Sequence, residues 1–263
     1  MISTLKLTYG IKQGELKHVA DVSSGLGCDC ICPACGEKLV AKKGSSRQHH
    51  FAHANDSECK YGAETALHLA AKKILEQKME ITLPEIEVWF YSTRASFFLS
   101  PERTYKIDKV VLESKVGEII PDVLAYINGW PLLIEIRVTH KVSHEKGRYV
   151  KEQLGLSTIE IDLSRASREL GVEDIEKLVI GAGKHKKWIF NAEAKAVQHE
   201  ALQRAKVFKM VHRGFALQVD GCPISARTFN GRPYANVTHD CNGCERLLMR
   251  DEDTITCGVV SLV

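Results

Sequence analysis

Two carboxylates stand out in the middle of the chain: Asp122 in the run IIPDVLAYI and Glu135 in the run PLLIEIRV. Period-two alternation puts Leu132, Ile134, Ile136 and Val138 on one face of a strand, with Leu133, Glu135 and Arg137 on the other. An Asn128-Gly129 turn would fold this strand back on its predecessor and set Asp122 near Glu135. Two carboxylates placed side by side among so much Ile, Leu and Val repel each other unless a cation lies between them. Hard oxygen ligands with room for water suit Mg2+ or Mn2+. An ion of this kind can hold a phosphodiester, lower the pKa of a bound water and stabilise charge developing at phosphorus.

The cysteines suggest a second kind of chemistry. There are nine, and none lies between Cys59 and Cys222. Cys32-Pro-Ala-Cys35-Gly36 has the form of a zinc knuckle, two thiolates on a tight turn approaching one ion. His50, His53 and Cys59 follow. Cys32, Cys35, His53 and Cys59 would close a tetrahedral site, with His50 or Cys30 as alternative ligands. Cys28 and Cys30 read as spare thiols beside the knuckle, and Phe51 as packing beneath it. Near the other end, Cys222-x18-Cys241-x2-Cys244-x12-Cys257 has zinc-ribbon spacing, four ligands without surplus. Both sets predict structural Zn2+, two ions in all, because modules this poor in apolar residues need a staple to fold.

The elements that must position these residues can be read from periodicity. Short strands separated by turns are predicted over 1–27. Glu64–Met79 (ETALHLAAKKILEQKM) contains no Gly or Pro and predicts a helix, with Pro84 ending it. On that helix Glu64, His68 and Lys72 recur at i, i+4 and i+8 and share one face. The runs IEVWFY, FFLS, KVVLES, EIIPDVLAYI and PLLIEIRVTH predict strands. HEKGRYVKEQLG predicts a short helix closed by Gly155, STIEIDLS a strand and EDIEKLVIG a helix. AEAKAVQHEALQRAKVFKM predicts a long charged helix, and short strands resume after Gly214. This order of elements predicts a mixed α/β fold rather than a regular βαβ array. Three parts are expected: a zinc-binding module over 1–62, the acidic domain over 63–190, and a linker helix with a zinc ribbon over 191–263.

Composition narrows the function classes. Of 263 residues, 44% are hydrophobic and 26% charged, an ordinary globular balance. No window reaches the ~18 consecutive apolar residues of a membrane span. The start lacks the apolar region of a signal peptide, so a cytoplasmic protein is expected. A net charge of +3 excludes a chain that coats nucleic acid through bulk charge, while local basic faces remain. The expected phosphate and base contacts are Arg227, Arg232, Arg246 and Arg250 with Phe229 and Tyr234, together with the KHKKW patch at 184–188.

The spacing P-D-x12-E-x-R resembles the PD-(D/E)xK nuclease motif, with Arg137 in the usual place of Lys. That resemblance implies Asp122 and Glu135 as metal ligands, the Ile136 carbonyl as a third, and Glu64 as an outer-sphere or second-metal ligand. A guanidinium stays protonated and cannot act as a general base, but it can orient water or hold the scissile phosphate. Lys146, on the following helix, would supply the missing amine, and His140 would stand at the edge of the site. CPACGEKLVAKKG, HFAH, Cys59 and ETALHLAAK, in that order, look like the competence protein CoiA-like family. This resemblance implies an N-terminal zinc-finger-like segment joined to a PD-(D/E)xK nuclease-like core.

The function expected is therefore that of a Mg2+-dependent deoxyribonuclease, an endonuclease acting in DNA uptake and processing or in defence against foreign DNA. Its partner is DNA, with a second protein or a homo-oligomer gating activity. The alternative is a nuclease fold that grips DNA or regulates without cutting. A zinc-dependent regulator that never touches DNA is the third reading.

Overall fold

The structure, a computed structural model, describes residues 6–55, 57, 59, 61–90, 95–164, 172–181 and 183–258. Along the chain, β1 (Tyr9–Lys12), β2 (Glu15–His18), β3 (Gly25–Ile31), β4 (Lys38–Lys42) and β5 (His50–His53) lead into helix α1 (Gly62–Lys78). The strands pair antiparallel in the order β2-β1-β3-β4-β5. Inward alternation along β3 buries Cys28 and Cys30, and Cys32 lies buried one residue beyond its end. From β4 and β5, Leu39, Ala41 and Phe51 join the same core.

Helix α1 ends at Met79, whose φ of 50° lies in the left-handed region and whose N–H reaches the Leu75 carbonyl at 3.1 Å. The stop therefore comes at Met79 and not at Pro84. Pro84 follows a further strand, β6 (Glu80–Leu83). Next come β7 (Ile86–Phe90), β8 (Ala95–Ser100), β9 (Arg103–Lys106), β10 (Lys109–Leu112), β11 (Val123–Ile127) and β12 (Trp130–Arg137). Helix α2 (His144–Tyr149) runs into a wider turn over Val150–Leu154, which Gly155 closes at a φ of 62°. Strand β13 (Thr158–Asp162), helix α3 (Val172–Val179) and β14 (Lys186–Phe190) follow.

A five-stranded sheet in the order β10-β11-β12-β13-β14 carries the acidic residues. Its pairs are antiparallel apart from β12 and β13, which run parallel across the α2 crossover. One face buries Val123, Ala125, Ile134, Ile136, Ile159 and Ile161 in the core that holds Ala66, Ala70, Ala71 and Leu75 of α1. The other face packs Leu124 and Leu133 against Val150 and Leu154. Each fully buried Leu or Ile contributes about 1.5–3 kcal/mol relative to exposure, so α1 is held mainly by this face.

The chain closes with helix α4 (Ala192–Arg204) and strands β15 (Lys206–Arg213), β16 (Ala216–Asp220), β17 (Arg227–Phe229), β18 (Arg232–Asn236), β19 (Leu247–Arg250) and β20 (Thr254–Cys257). The helix expected to run to Met210 stops at Arg204, because Lys206–Lys209 pair with β20 and Met210–Arg213 with β16. These strands form a six-stranded sheet in the order β17-β18-β16-β15-β20-β19. The contacts divide the chain into two units, Met1–Pro84 with Glu102–Phe190, and Glu85–Pro101 with Asn191–Val263. No helix among the described residues is long and apolar enough to cross a membrane.

Candidate functional site

The N-terminal sheet delivers three of four metal-type donors. Cys32 follows β3 directly, and Cys35 sits on the turn closed by the Gly36 N–H to the Cys32 carbonyl at 2.9 Å. His53 ends β5, and Cys59 lies just ahead of α1. The four donor atoms all lie within 4.8 Å of one another, with Cys32 Sγ 4.0 Å from Cys59 Sγ and Cys35 Sγ 3.3 Å from His53 Nε2. Tetrahedral Zn–S bonds of ~2.3 Å place ligand sulfurs about 3.8 Å apart, so the set matches structural zinc in both type and spacing. Gly62 is part of the fit: a Cβ there would stand 3.2 Å from Cys32 Sγ and 3.4 Å from Cys59 Sγ. Burial pushes the metal-free Cys32 thiol up to about 11, so a cation must drive off its proton on binding.

The alternative ligands are used otherwise. His50 Nδ1 lies 2.9 Å from the Gln48 carbonyl, and the Cys30 thiol donates to the Cys28 carbonyl at 3.3 Å. Cys28 is fully buried and donates to the Leu39 carbonyl at 3.2 Å. Both thiols are core residues of β3.

The second constellation forms where α1 meets the end of the β11–β12 hairpin. Asn128 and Gly129, at φ of 51° and 78°, make the tight turn, and the register that pairs Val123 with Ile134 brings Asp122 to the level of Glu135. Asp122 Oδ2 accepts from His68 Nε2 at 2.9 Å and from the Ile136 N–H at 2.8 Å, while Oδ1 lies 3.3 Å from Lys72 Nζ. Burial opposes the Asp122 charge, yet His68, the Ile136 amide and Lys72 together hold its carboxyl below the ordinary range. Lys72 is itself buried and reaches Glu113 at 2.9 Å. Glu135 is buried on the α2 side, with Lys146 Nζ 2.6 Å and 2.7 Å from its two oxygens. Burial pushes the Glu135 carboxyl up, and the Lys146 charge only partly offsets it.

The remaining sequence-derived residues lie around this pair. Glu64 accepts from the Thr139 hydroxyl and lies 3.8 Å from His140 Nδ1, so it faces the segment after β12. Arg137 pairs with Asp162 of β13 at 2.8 Å, its partner in the parallel register. Among the described residues, the cysteine–histidine quartet is the one group of three or more His, Cys, Asp or Glu donors gathered within 4.8 Å. Asp122 is paired with His68 and Lys72, and Glu135 with Lys146, all from the chain itself.

Residues that sequence reasoning overlooked complete the network. Glu160, buried beside Glu135 in the β12–β13 register, accepts from the Val142 N–H at 2.9 Å and lies 3.8 Å from Lys187. An acidic residue amid the apolar run STIEIDLS is the signal that could have revealed it. Part of the KHKKW patch is engaged: Lys186 is buried and donates to the Gly181 carbonyl, and Trp188 donates to the Pro84 carbonyl at 3.3 Å, while Lys184 and Lys187 are exposed. In the C-terminal sheet, Arg227 is bound through two nitrogens to Asp240 at 2.6 and 3.0 Å, while Phe229 remains exposed.

No curated protein and no solved structure matches this chain. A family model does match, and the stretch it covers contains β3 to β5 and all four donors of the metal centre but ends ahead of the acidic site. Residues 22–62 match the competence protein CoiA, N-terminal domain, in agreement with the CoiA-like resemblance carried by the knuckle and the HFAH motif.

Proposed function

We propose that this protein is a DNA-processing nuclease of the competence type, built on a PD-(D/E)xK-like core and steadied by a structural zinc in its N-terminal module. The observation that carries the reading is the convergence of Asp122, Glu135 and Lys146, two carboxylates and an amine from three separate elements, at one end of a sheet. Lys146 from α2 stands where Arg137 cannot serve, since Arg137 is committed to Asp162. Asp122 and Glu135 are the residues that would hold a divalent ion, which when bound supplies Lewis acidity and a water of lowered pKa. The Lys146 ammonium adds positive charge beside the phosphoryl oxygens as negative charge develops there. His68 and the Ile136 N–H fix the orientation of the Asp122 carboxylate, and Glu64 with Thr139 borders the site on the α1 side.

A second reading, DNA binding without cleavage, is favoured by one observation: Asp122 and Glu135 are each already matched by cations of the chain itself. Wild type and Asp122→Ala, incubated with single-stranded, linear duplex and circular DNA in Mg2+, Mn2+ or EDTA, separate the two. Metal-dependent cleavage that is lost in the variant supports the nuclease. Equal salt-sensitive binding by both proteins, with no cleavage under any condition, supports the gripping scaffold.

A further inference from the structure

The second unit holds two apolar clusters, one around β7 and helix α4 and one in its C-terminal sheet. Its six-stranded sheet closes over Met210, Val219, Ala235, Val237, Leu247 and Ile255, and three further buried positions in that cluster are cysteines: Cys222, Cys241 and Cys257. Cys244 packs against them. All four are free thiols. They line one small cavity of about 20 Å3, shared with Phe208, Val219 and Leu247, which is room for a single water-sized occupant. The topology explains the convergence. Cys222 follows β16 and Cys257 ends β20, and both leave the sheet at the end where β15 begins, Cys257 pairing with Lys206. Cys241 and Cys244 sit on the loop between β18 and β19, in a turn closed by the Cys244 N–H to the Cys241 carbonyl at 3.0 Å. Cys222 heads a similar turn, with the Ser225 N–H on its carbonyl at 3.0 Å.

Four thiols lining one small cavity beside six buried apolar residues are hard to explain as packing alone. Cysteine is a small hydrophobe, and Ala, Val or Leu would fill the space without a reactive group. We propose that Cys222, Cys241, Cys244 and Cys257 form a second, all-thiolate structural zinc site that joins the β17-β18-β16 side of this sheet to β20 and β19. No three of these sulfurs lie within 4.8 Å of one another, in contrast to the N-terminal quartet, so the ion draws the two turns inward as it binds. The site is independent of the nuclease reading and of the first zinc.

The test uses the full chain purified without chelator and metal analysis by mass spectrometry. Wild type should carry two zinc ions, and the Cys35→Ser/His53→Ala variant one. Replacing that remaining ion with Co2+ should give the intense sulfur-to-metal absorption of a four-thiolate tetrahedral centre. Cys222→Ser/Cys257→Ser should lose one zinc and, if it still folds, the Co2+ signature in the background of the first-site variant. Because the cobalt spectrum is read on intact C-terminal cysteines, misfolding of the second variant cannot mask the result. A wild type with one zinc that disappears in the first-site variant would overturn the proposal. So would disulfides among these four cysteines in unreduced protein.

Discussion

Lys146 closes on Glu135 from a separate element, its ammonium nitrogen 2.6 Å from one carboxylate oxygen and 2.7 Å from the other. Glu135 carries its charge against the pull of burial, so the lysine is what keeps an ionised group tolerable there. Lys146→Met should cost about 2–4 kcal/mol at neutral pH, somewhat under the range for a fully buried pair because the lysine is partly exposed. The Glu135→Gln/Lys146→Met double variant should regain most of that. Because the folded Glu135 pKa is raised, its protonated form favours folding and that contribution is lost as pH rises. The deficit of Lys146→Met should accordingly shrink in acid. Urea midpoints of the three proteins between pH 5 and 8 check this, and a Lys146→Met variant as stable as wild type at neutral pH would refute the pairing.

Asp122 should behave in the opposite way. Its folded carboxyl is held below the ordinary value, so as pH falls the unfolded chain takes up the proton first. The stability it contributes is complete above an unfolded pKa of ~3.9 and drains away as pH drops through the folded value. Asp122→Asn should be less stable than wild type at neutral pH by roughly 1–3 kcal/mol and should flatten the acid limb of the stability curve. His68→Gln, which removes the partner at 2.9 Å, should move the start of acid unfolding to higher pH. Chemical denaturation followed from pH 6 downward measures both effects.

Gly62 tests the metal centre without touching a ligand. As the first residue of α1 it would gain up to ~1 kcal/mol of helix propensity from Ala. The added methyl, however, would stand 3.2 Å from Cys32 Sγ. Gly62→Ala should weaken zinc retention by about tenfold, or ~1.4 kcal/mol, in competition with a chromophoric chelator. Unchanged retention would mean that the sulfurs have room to spare.

Lys186 is a buried amine, and burial pushes its pKa down to about 8. Between that value and the unfolded value near 10.4 the unfolded chain holds the extra proton, so stability should climb with pH through this window, by up to about 3 kcal/mol. Lys186→Met should be more stable than wild type near pH 7 and lose that rise. Thermal melts from pH 7 to 10.5 decide it.

Much of this is readable in the sequence because the signals are local. The Asn128-Gly129 turn brings Asp122 toward Glu135, and helical spacing alone aligns Glu64, His68 and Lys72. Between His50 and His53, parity decides: three residues apart on β5, they point to opposite faces, and only His53 shares the side of Phe51. What local pattern does not carry is the partner of each charge. The match of Arg137 with Asp162 and the burial of Glu160 depend on the parallel register of β12 and β13, which no turn specifies. The end of α4 is hidden for the same reason. Ala205 and Lys206 contain no helix breaker, and pairing with β20 turns Lys206–Lys209 into strand.

The route of the chain through its two units has a consequence for how it can be made and cut. Strands β6 and β9 pair antiparallel with Leu83 opposite Arg103, so the Glu85–Pro101 segment leaves and returns at neighbouring points. That excursion carries Val88, Phe90 and Phe97, whose apolar partners Val197, Ala201 and Leu248 lie a hundred residues or more downstream. During synthesis this apolar segment emerges early and must wait for those downstream partners while the first unit is completed. Stopping the chain at Phe190 would leave it permanently bare and prone to aggregate, whereas replacing 85–101 with a tight glycine turn should release the first unit as a clean, separately folding piece.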